Sequence, residues 1–128
     1  MAIQVCGEPF DPWQAIEHHQ QAVLRRSGQY GATAVFVGTM RDFSDGGEVR
    51  AMVLEHYPGM TESYLEKIAD EAQQKWSLLD ALIVHLVGQL QPNDPIVLVA
   101  VWSALRKEAF EACRWLMEEL KSLSLIHI

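Results

Sequence analysis

Hydrophobic and polar positions along the chain switch between a strand-like period and a helix-like one, and the switches predict its elements. Residues 35–60 read VFVGTMRDFSDGGEVRAMVLEHYPGM. An apolar, β-branched run ends at Arg41, a polar turn is centred on Asp45-Gly46-Gly47, and a second run stops at Tyr57-Pro58-Gly59. This pattern predicts a hairpin of strands 32–40 and 50–57. It places Arg41 at a strand end beside a loop, where binding groups tend to gather.

A short strand over 3–5 precedes this stretch. Asp11-Pro12 then opens a helix as N-cap and first helical residue, and Ser27-Gly28 closes it. Trp13, Ile16, Val23 and Leu24 form its apolar face, and the adjacent His18 and His19 read as solvated surface. Neighbouring residues diverge on a helix and make a poor chelating pair.

Beyond the hairpin, Thr61 is the expected N-cap of a second helix. Tyr64, Leu65, Ile68, Ala69, Ala72 and Trp76 are its core stripe. Strands follow over 82–87 and 96–102, separated by the turn Gln91-Pro92-Asn93-Asp94-Pro95. Their near-continuous apolar character predicts central positions in the sheet. Ser103 is expected to open the last helix, with Phe110, Cys113, Leu116, Met117 and Leu120 buried and Glu108, Glu111, Glu118 and Glu119 solvated. The order β-α-β-β-α-β-β-α predicts an α+β domain with a mainly antiparallel sheet and three main helices.

Composition narrows the function classes. The chain has 128 residues, 49% hydrophobic and 21% charged, as in a globular domain with a real core. A net charge of −7 argues against a broad nucleic-acid surface, so any anion must be held by a local group of cations. The apolar runs are too short to span a bilayer, and the expected location is the cytoplasm. Cys6 and Cys113 lie far apart without metal spacing and read as reduced thiols, with Cys113 on an apolar stripe.

Glycine-rich phosphate loops, nucleophile elbows and zinc signatures do not occur. His56 and His85 sit in strand patterns and read as structural. What remains is a set of cations at element ends: Arg41, Arg106 and Lys121. Lys121 suits the negative end of the last helix, whereas Arg106 near its N-terminus opposes the dipole. On residue pattern alone, an anion site and simple solvation both stay open. Arg106 and Lys121 are fifteen residues apart on one helix, about 22 Å. If both serve one small ligand, the site must combine two subunits.

Several longer stretches are more specific. They include Phe36-Val37-Gly38-Thr39-Met40-Arg41, Leu54-Glu55-His56-Tyr57-Pro58-Gly59-Met60, Val87-Gly88 with the Pro92–Asp94 turn, and Ser103-Ala104 with Arg106. Ala109-Phe110-Glu111-Ala112 and Leu120-Lys121 complete the set. Together they resemble the large, catalytic subunit of molybdopterin synthase, the MoaE family, from about Gly31 to Lys121.

The resemblance implies an α/β-hammerhead-type α+β fold and a homodimer. A small ubiquitin-like sulfur-carrier subunit (MoaD-like) at each end makes a heterotetramer. It implies sulfur transfer from the carrier's thiocarboxylated C-terminus to cyclic pyranopterin monophosphate, forming the molybdopterin dithiolene in molybdenum cofactor biosynthesis. No cofactor or metal is implied. Carried over residue by residue, Lys121 matches a catalytic lysine beside the carrier's C-terminus. Arg41 and Arg106 match phosphate-binding positions, Thr39 and Met40 line the same loop, and Phe36 matches an apolar position near the pocket.

Two departures stand out. Leu105 occupies the substrate-site position where the family usually has histidine. A lysine-bearing segment that follows Lys121 in the family is replaced here by 123–128, LSLIHI, an apolar run without cap or turn. That run matches one reading frame of a widely used transposon-end sequencing adapter. The expected organisation is one domain over 1–122 followed by a non-native tail at 123–128, with His127 carrying no function. These departures imply an impaired chain; the alternative is a non-catalytic dimeric module that still docks the carrier.

Overall fold

In the computed structural model, residues 1–22, 28–41, 52–54 and 59–123 are described. The elements are β1 (Ala2–Cys6), α1 (Pro12–Ala22), β2 (Ala32–Thr39), β3 (Met52–Leu54), α2 (Met60–Trp76), β4 (Asp80–Leu86), β5 (Gly88–Leu90), β6 (Pro95–Ser103) and α3 (Arg106–Leu123). A four-stranded sheet runs β1-β4-β6-β2, with β1 parallel to β4 and the other pairings antiparallel. This is the expected α+β fold, with β4 and β6 central.

Both faces of the sheet are covered. Ile83, Val97, Val99 and Val101 point towards α2 and α3, where they meet Leu65, Ile68, Ala112 and Leu116. Leu82, Val84, Leu98, Ala100 and Trp102 point the other way, towards Ala15 and Ile16 of α1. Burial on both faces explains why β4 and β6 read as unbroken apolar runs.

The predicted hairpin does not form. β2 pairs with β6, Ala32 opposite Ser103 through Thr39 opposite Pro95, whereas β3 pairs with β5 in a separate two-stranded sheet. Turn chemistry signals that the chain reverses, but the long apolar β6 offers β2 a deeper ladder than its sequence neighbour does. β5 went unpredicted, being three residues long behind Gly88, which has φ +91°. The Asp45-Gly46-Gly47 turn, His56, Val23, Leu24 and residues 124–128 lie outside the described residues.

Other local expectations need correction. Gly59, not Thr61, caps α2: its φ is 86°, and its N–H donates to the Glu62 carboxylate at 2.8 Å. Thr61 is buried inside the first turn. Ser103 ends β6 rather than opening α3, and its hydroxyl accepts the Leu105 N–H at 3.3 Å. Trp13 is 63% exposed and Phe110 is 70% exposed, although both sit on predicted apolar faces. Asp11 caps α1 as expected, accepting from the N–H groups of Trp13 and Gln14 at 2.9 and 3.3 Å.

His19 is the largest reversal. Its neighbour His18 is exposed, but His19 is 6% exposed and its Nε2 lies 2.9 Å from an Asp80 carboxylate oxygen. Its ring stacks on Trp102 with centroids 5.0 Å apart. The other Asp80 oxygen accepts the Ala81 N–H at 2.8 Å and faces the Met1 amine at 3.3 Å. A buried carboxylate is tolerated because every side of it is matched.

Gly31 sets the approach of β2 to the turn between β6 and α3. Its N–H donates to the Ser103 carbonyl at 3.0 Å, and a Cβ there would lie 2.6 Å from the Ala104 carbonyl oxygen. Gly31→Ala is expected to destabilise the fold by about 1–3 kcal/mol in chemical denaturation. An unchanged midpoint would show that this turn yields freely.

Candidate functional site

The antiparallel pairing of β2 with β6 fixes where the predicted site residues lie. Thr39 and Arg41 sit at the end of β2 opposite Pro95, where β6 begins. Leu105 and Arg106 follow Ser103 at the other end, beside Ala32. These ends are separated by the length of β2, about 23 Å at about 3.3 Å per residue.

α3 runs back along β6. Cys113 reaches Val99, its Sγ 3.9 Å from the Val99 carbonyl oxygen, and Lys121 lies two further turns on. Lys121 therefore returns to the end of the sheet that carries Arg41, whereas Arg106 stays at the opposite end. One chain joins Arg41 with Lys121 at one end and Leu105 with Arg106 at the other.

The Arg41 end is held by main chain. The Met40 N–H donates to the Asp94 carbonyl at 2.9 Å, and the Asn93 N–H donates to the Met40 carbonyl at 2.9 Å. Asp94 also fixes its own turn, accepting the Gln91 N–H at 2.9 Å. Met40 buries its side chain, 1% exposed, among Leu86, Leu90 and Ile96. Its contribution is to anchor the strand end while Thr39 and Arg41 remain exposed. The sequence signalled the 91–95 turn, but not that it clamps residue 40, because the contact spans more than fifty residues.

Lys121 is exposed, and its ammonium lies 3.5 Å from the Glu118 carboxylate. That surrounding suits a cation that stabilises charge rather than a desolvated base. Leu105 is 63% exposed at the rim of an open recess of about 420 Å³, whose lining includes Lys75, Trp76, Lys107 and Glu108. Arg106 is exposed, with no ion pair among the described residues. Phe36 lies midway along β2, half-buried, in an apolar groove of about 220 Å³ with Val35, Phe110 and Met117.

The surroundings of both cysteines disfavour the thiolate. Burial pushes the Cys113 thiol up to about 11, and burial raises Cys6 as well. His85 is buried with its Nδ1 2.9 Å from the Leu86 carbonyl oxygen, a structural histidine as expected. Among the described residues no group of three His, Cys, Asp or Glu is placed to hold a metal ion. None of the described helices is long and apolar enough to cross a membrane.

The chain is a three-helix α+β domain with exposed cations at its strand and helix ends. The family is more definite. The MoaE protein family model matches residues 7–123, and the chain belongs to that family.

Among its relatives is a molybdopterin synthase catalytic subunit of Ralstonia nicotianae, 58% identical over 94 residues, covering 73% of this chain and 53% of that protein. The molybdopterin synthase catalytic subunit of Pseudomonas aeruginosa is 49% identical over 95% of this chain and 79% of its own length. The chain thus spans about half of the first relative and about four fifths of the second. The structure of a molybdopterin biosynthesis MoaE protein from Burkholderia ambifaria superposes with a TM-score of 0.81. It is 44% identical, over 94% of this chain and 77% of that one.

Proposed function

We propose that the chain is a catalytic subunit of molybdopterin synthase. It takes sulfur from the thiocarboxylated C-terminus of a small ubiquitin-like carrier subunit and passes it to cyclic pyranopterin monophosphate. Two transfers build the dithiolene. The observation that carries this reading is membership of the MoaE family across residues 7–123, a span that includes Arg41, Arg106 and Lys121. A site without its own activated thiol suits this chemistry, because the sulfur arrives on the carrier.

In this reading Arg41 and Arg106 hold the substrate phosphate, a task suited to a planar guanidinium that makes paired hydrogen bonds. Lys121 stabilises negative charge as the carrier's acyl–sulfur bond is cleaved. Thr39 and Phe36 flank the pocket, and Met40 keeps the strand end in place. Because Arg41 and Arg106 stand at opposite ends of β2, a phosphate held by both requires two subunits. The functional unit is then a homodimer with one carrier at each end. Two free thiols, Cys6 and Cys113, fit a cytoplasmic setting.

Leu105 favours a second reading, a module that docks the carrier with little turnover. An exposed leucine beside Arg106 offers the substrate neither a hydrogen bond nor a proton. A single-turnover assay with thiocarboxylated carrier and cyclic pyranopterin monophosphate separates the two. Dithiolene product is expected, with a faster rate after Leu105→His. Carrier binding without product from either form would leave only the docking module.

A further inference from the structure

Tyr64 sits on the expected core stripe of α2, but its hydroxyl leaves that stripe. The ring is half-buried against the core under α2 and α3. The hydroxyl donates to the Glu119 main-chain carbonyl at 3.0 Å, with a Glu119 carboxylate oxygen 3.4 Å away. A tyrosine ring fills an apolar seam while its O–H finds a polar partner at the edge. Here the partner is the backbone of the neighbouring helix, far away in sequence. The platform under Tyr64 is itself fixed: the Gly59 N–H donates to the Glu62 carboxylate at 2.8 Å, and the adjacent Leu65 is fully buried.

The Glu119 carbonyl lies one turn from the end of α3, and Lys121 stands two residues further on. Helix ends fray, because their last carbonyls have no partner within the helix. An ammonium in the last turn is therefore only as well placed as the turn itself. At about 100° per residue, Glu119 and Lys121 lie about 160° apart around the axis, so Tyr64 grips the side of α3 opposite to Lys121. Leu120, 2% exposed, enters the core between them. Two anchors away from Lys121 keep the turn from rolling or lifting. The ion pair with Glu118 at 3.5 Å then directs the ammonium.

We propose that Tyr64 is a positioning residue for the sulfur transfer. Through the Glu119 carbonyl it holds the last turn of α3, so that Lys121 is presented at the Arg41 end of the sheet. This rests on the role given to Lys121 above and adds a residue of α2 that acts only through α3. One hydrogen bond has leverage here, because misplacing a reacting group by about 1 Å can cost about 100-fold in rate.

Tyr64→Phe keeps the ring and removes the hydroxyl. It is expected to lower the single-turnover rate of dithiolene formation about 10-fold, with carrier binding unchanged within about two-fold. Amides in the last turn of α3 should exchange with deuterium about five- to ten-fold faster, while those of its first turn keep the parental rate. In a Lys121→Ala background the same substitution is expected to change the rate by less than about two-fold, since the side chain it acts through is gone. A loss caused by general destabilisation would persist in that background. Gln73→Ala serves as the control. It removes a bond of the same type from the far end of α2, Nε2 to the Leu78 carbonyl at 3.1 Å, and should keep the parental rate.

A Tyr64→Phe chain within about two-fold of the parental rate would overturn the proposal. So would an equal loss in the Lys121→Ala background, or an equal loss from Gln73→Ala. In each of these cases the parent is active, and the proposed activity stands. Unchanged amide exchange in the last turn overturns the clamp whatever the activity. A parent that forms no dithiolene overturns the activity, and the role of Tyr64 with it.

Discussion

Lys121→Ala is expected to lower the single-turnover rate of dithiolene formation by about 100- to 1,000-fold, the range for removing one group that stabilises developing charge. Carrier binding should stay within a few fold. Lys121 is exposed and is ion-paired with Glu118, so its loss is expected to leave the fold unchanged by circular dichroism. Lys121→Arg keeps the charge but not a readily titrated amine; a cationic role predicts that it recovers most of the loss, and a proton-transfer role predicts that it does not. A Lys121→Ala chain within five-fold of the parent would remove this residue from the site.

Mixing chains adds a sharper readout. Arg106→Ala and Lys121→Ala chains, each nearly inactive alone, are expected to recover about a quarter of parental activity when refolded together in equal amounts. Random pairing makes half of the dimers mixed, and each mixed dimer has one of its two composite sites intact. If all the catalytic groups came from one chain, mixing would restore nothing.

Trp102→Ala is expected to destabilise the fold by about 3–5 kcal/mol, a fall in melting temperature of about 10–20 °C. Trp102 is fully buried and forms the floor on which His19 stacks beside Asp80. Removing the ring opens a cavity and unseats the buried His19–Asp80 pair. Trp102→Phe should cost far less, within about 1.5 kcal/mol. It keeps an aromatic face for His19 and removes an indole N–H that is buried without a hydrogen-bond partner. Equal losses from the two variants would show that the indole N–H matters in a way the packing does not reveal.

Individual elements explain what was legible. β4 and β6 announced themselves because a strand buried on both faces must be apolar throughout. α1 announced its start through Asp11-Pro12, since capping is a local contact between a side chain and N–H groups two and three residues away. α2 showed its stripe because Leu65, Ile68, Ala69 and Ala72 share one helix face at every turn. Arg41, Arg106 and Lys121 stood out as cations at element ends, and the longer matched stretches gave the family.

His19 and His18 are adjacent and equally polar in sequence, yet Asp80 and Trp102, more than sixty residues away, bury only His19. Trp13 and Phe110 are as apolar as their buried neighbours, yet both are exposed.

The sequence by itself determined the α+β composition, the central strands, the core stripe of α2, the family and the cations offered for chemistry. All of these follow from local periodicity, capping or residue identity. Only the tertiary structure decided that β2 pairs with β6 rather than β3, and with it that Arg41 and Lys121 share one end of the sheet while Arg106 stands at the other. Strand partners are chosen by competition among distant segments for the same hydrogen bonds and the same buried face, and no local stretch of chain contains the outcome of that competition.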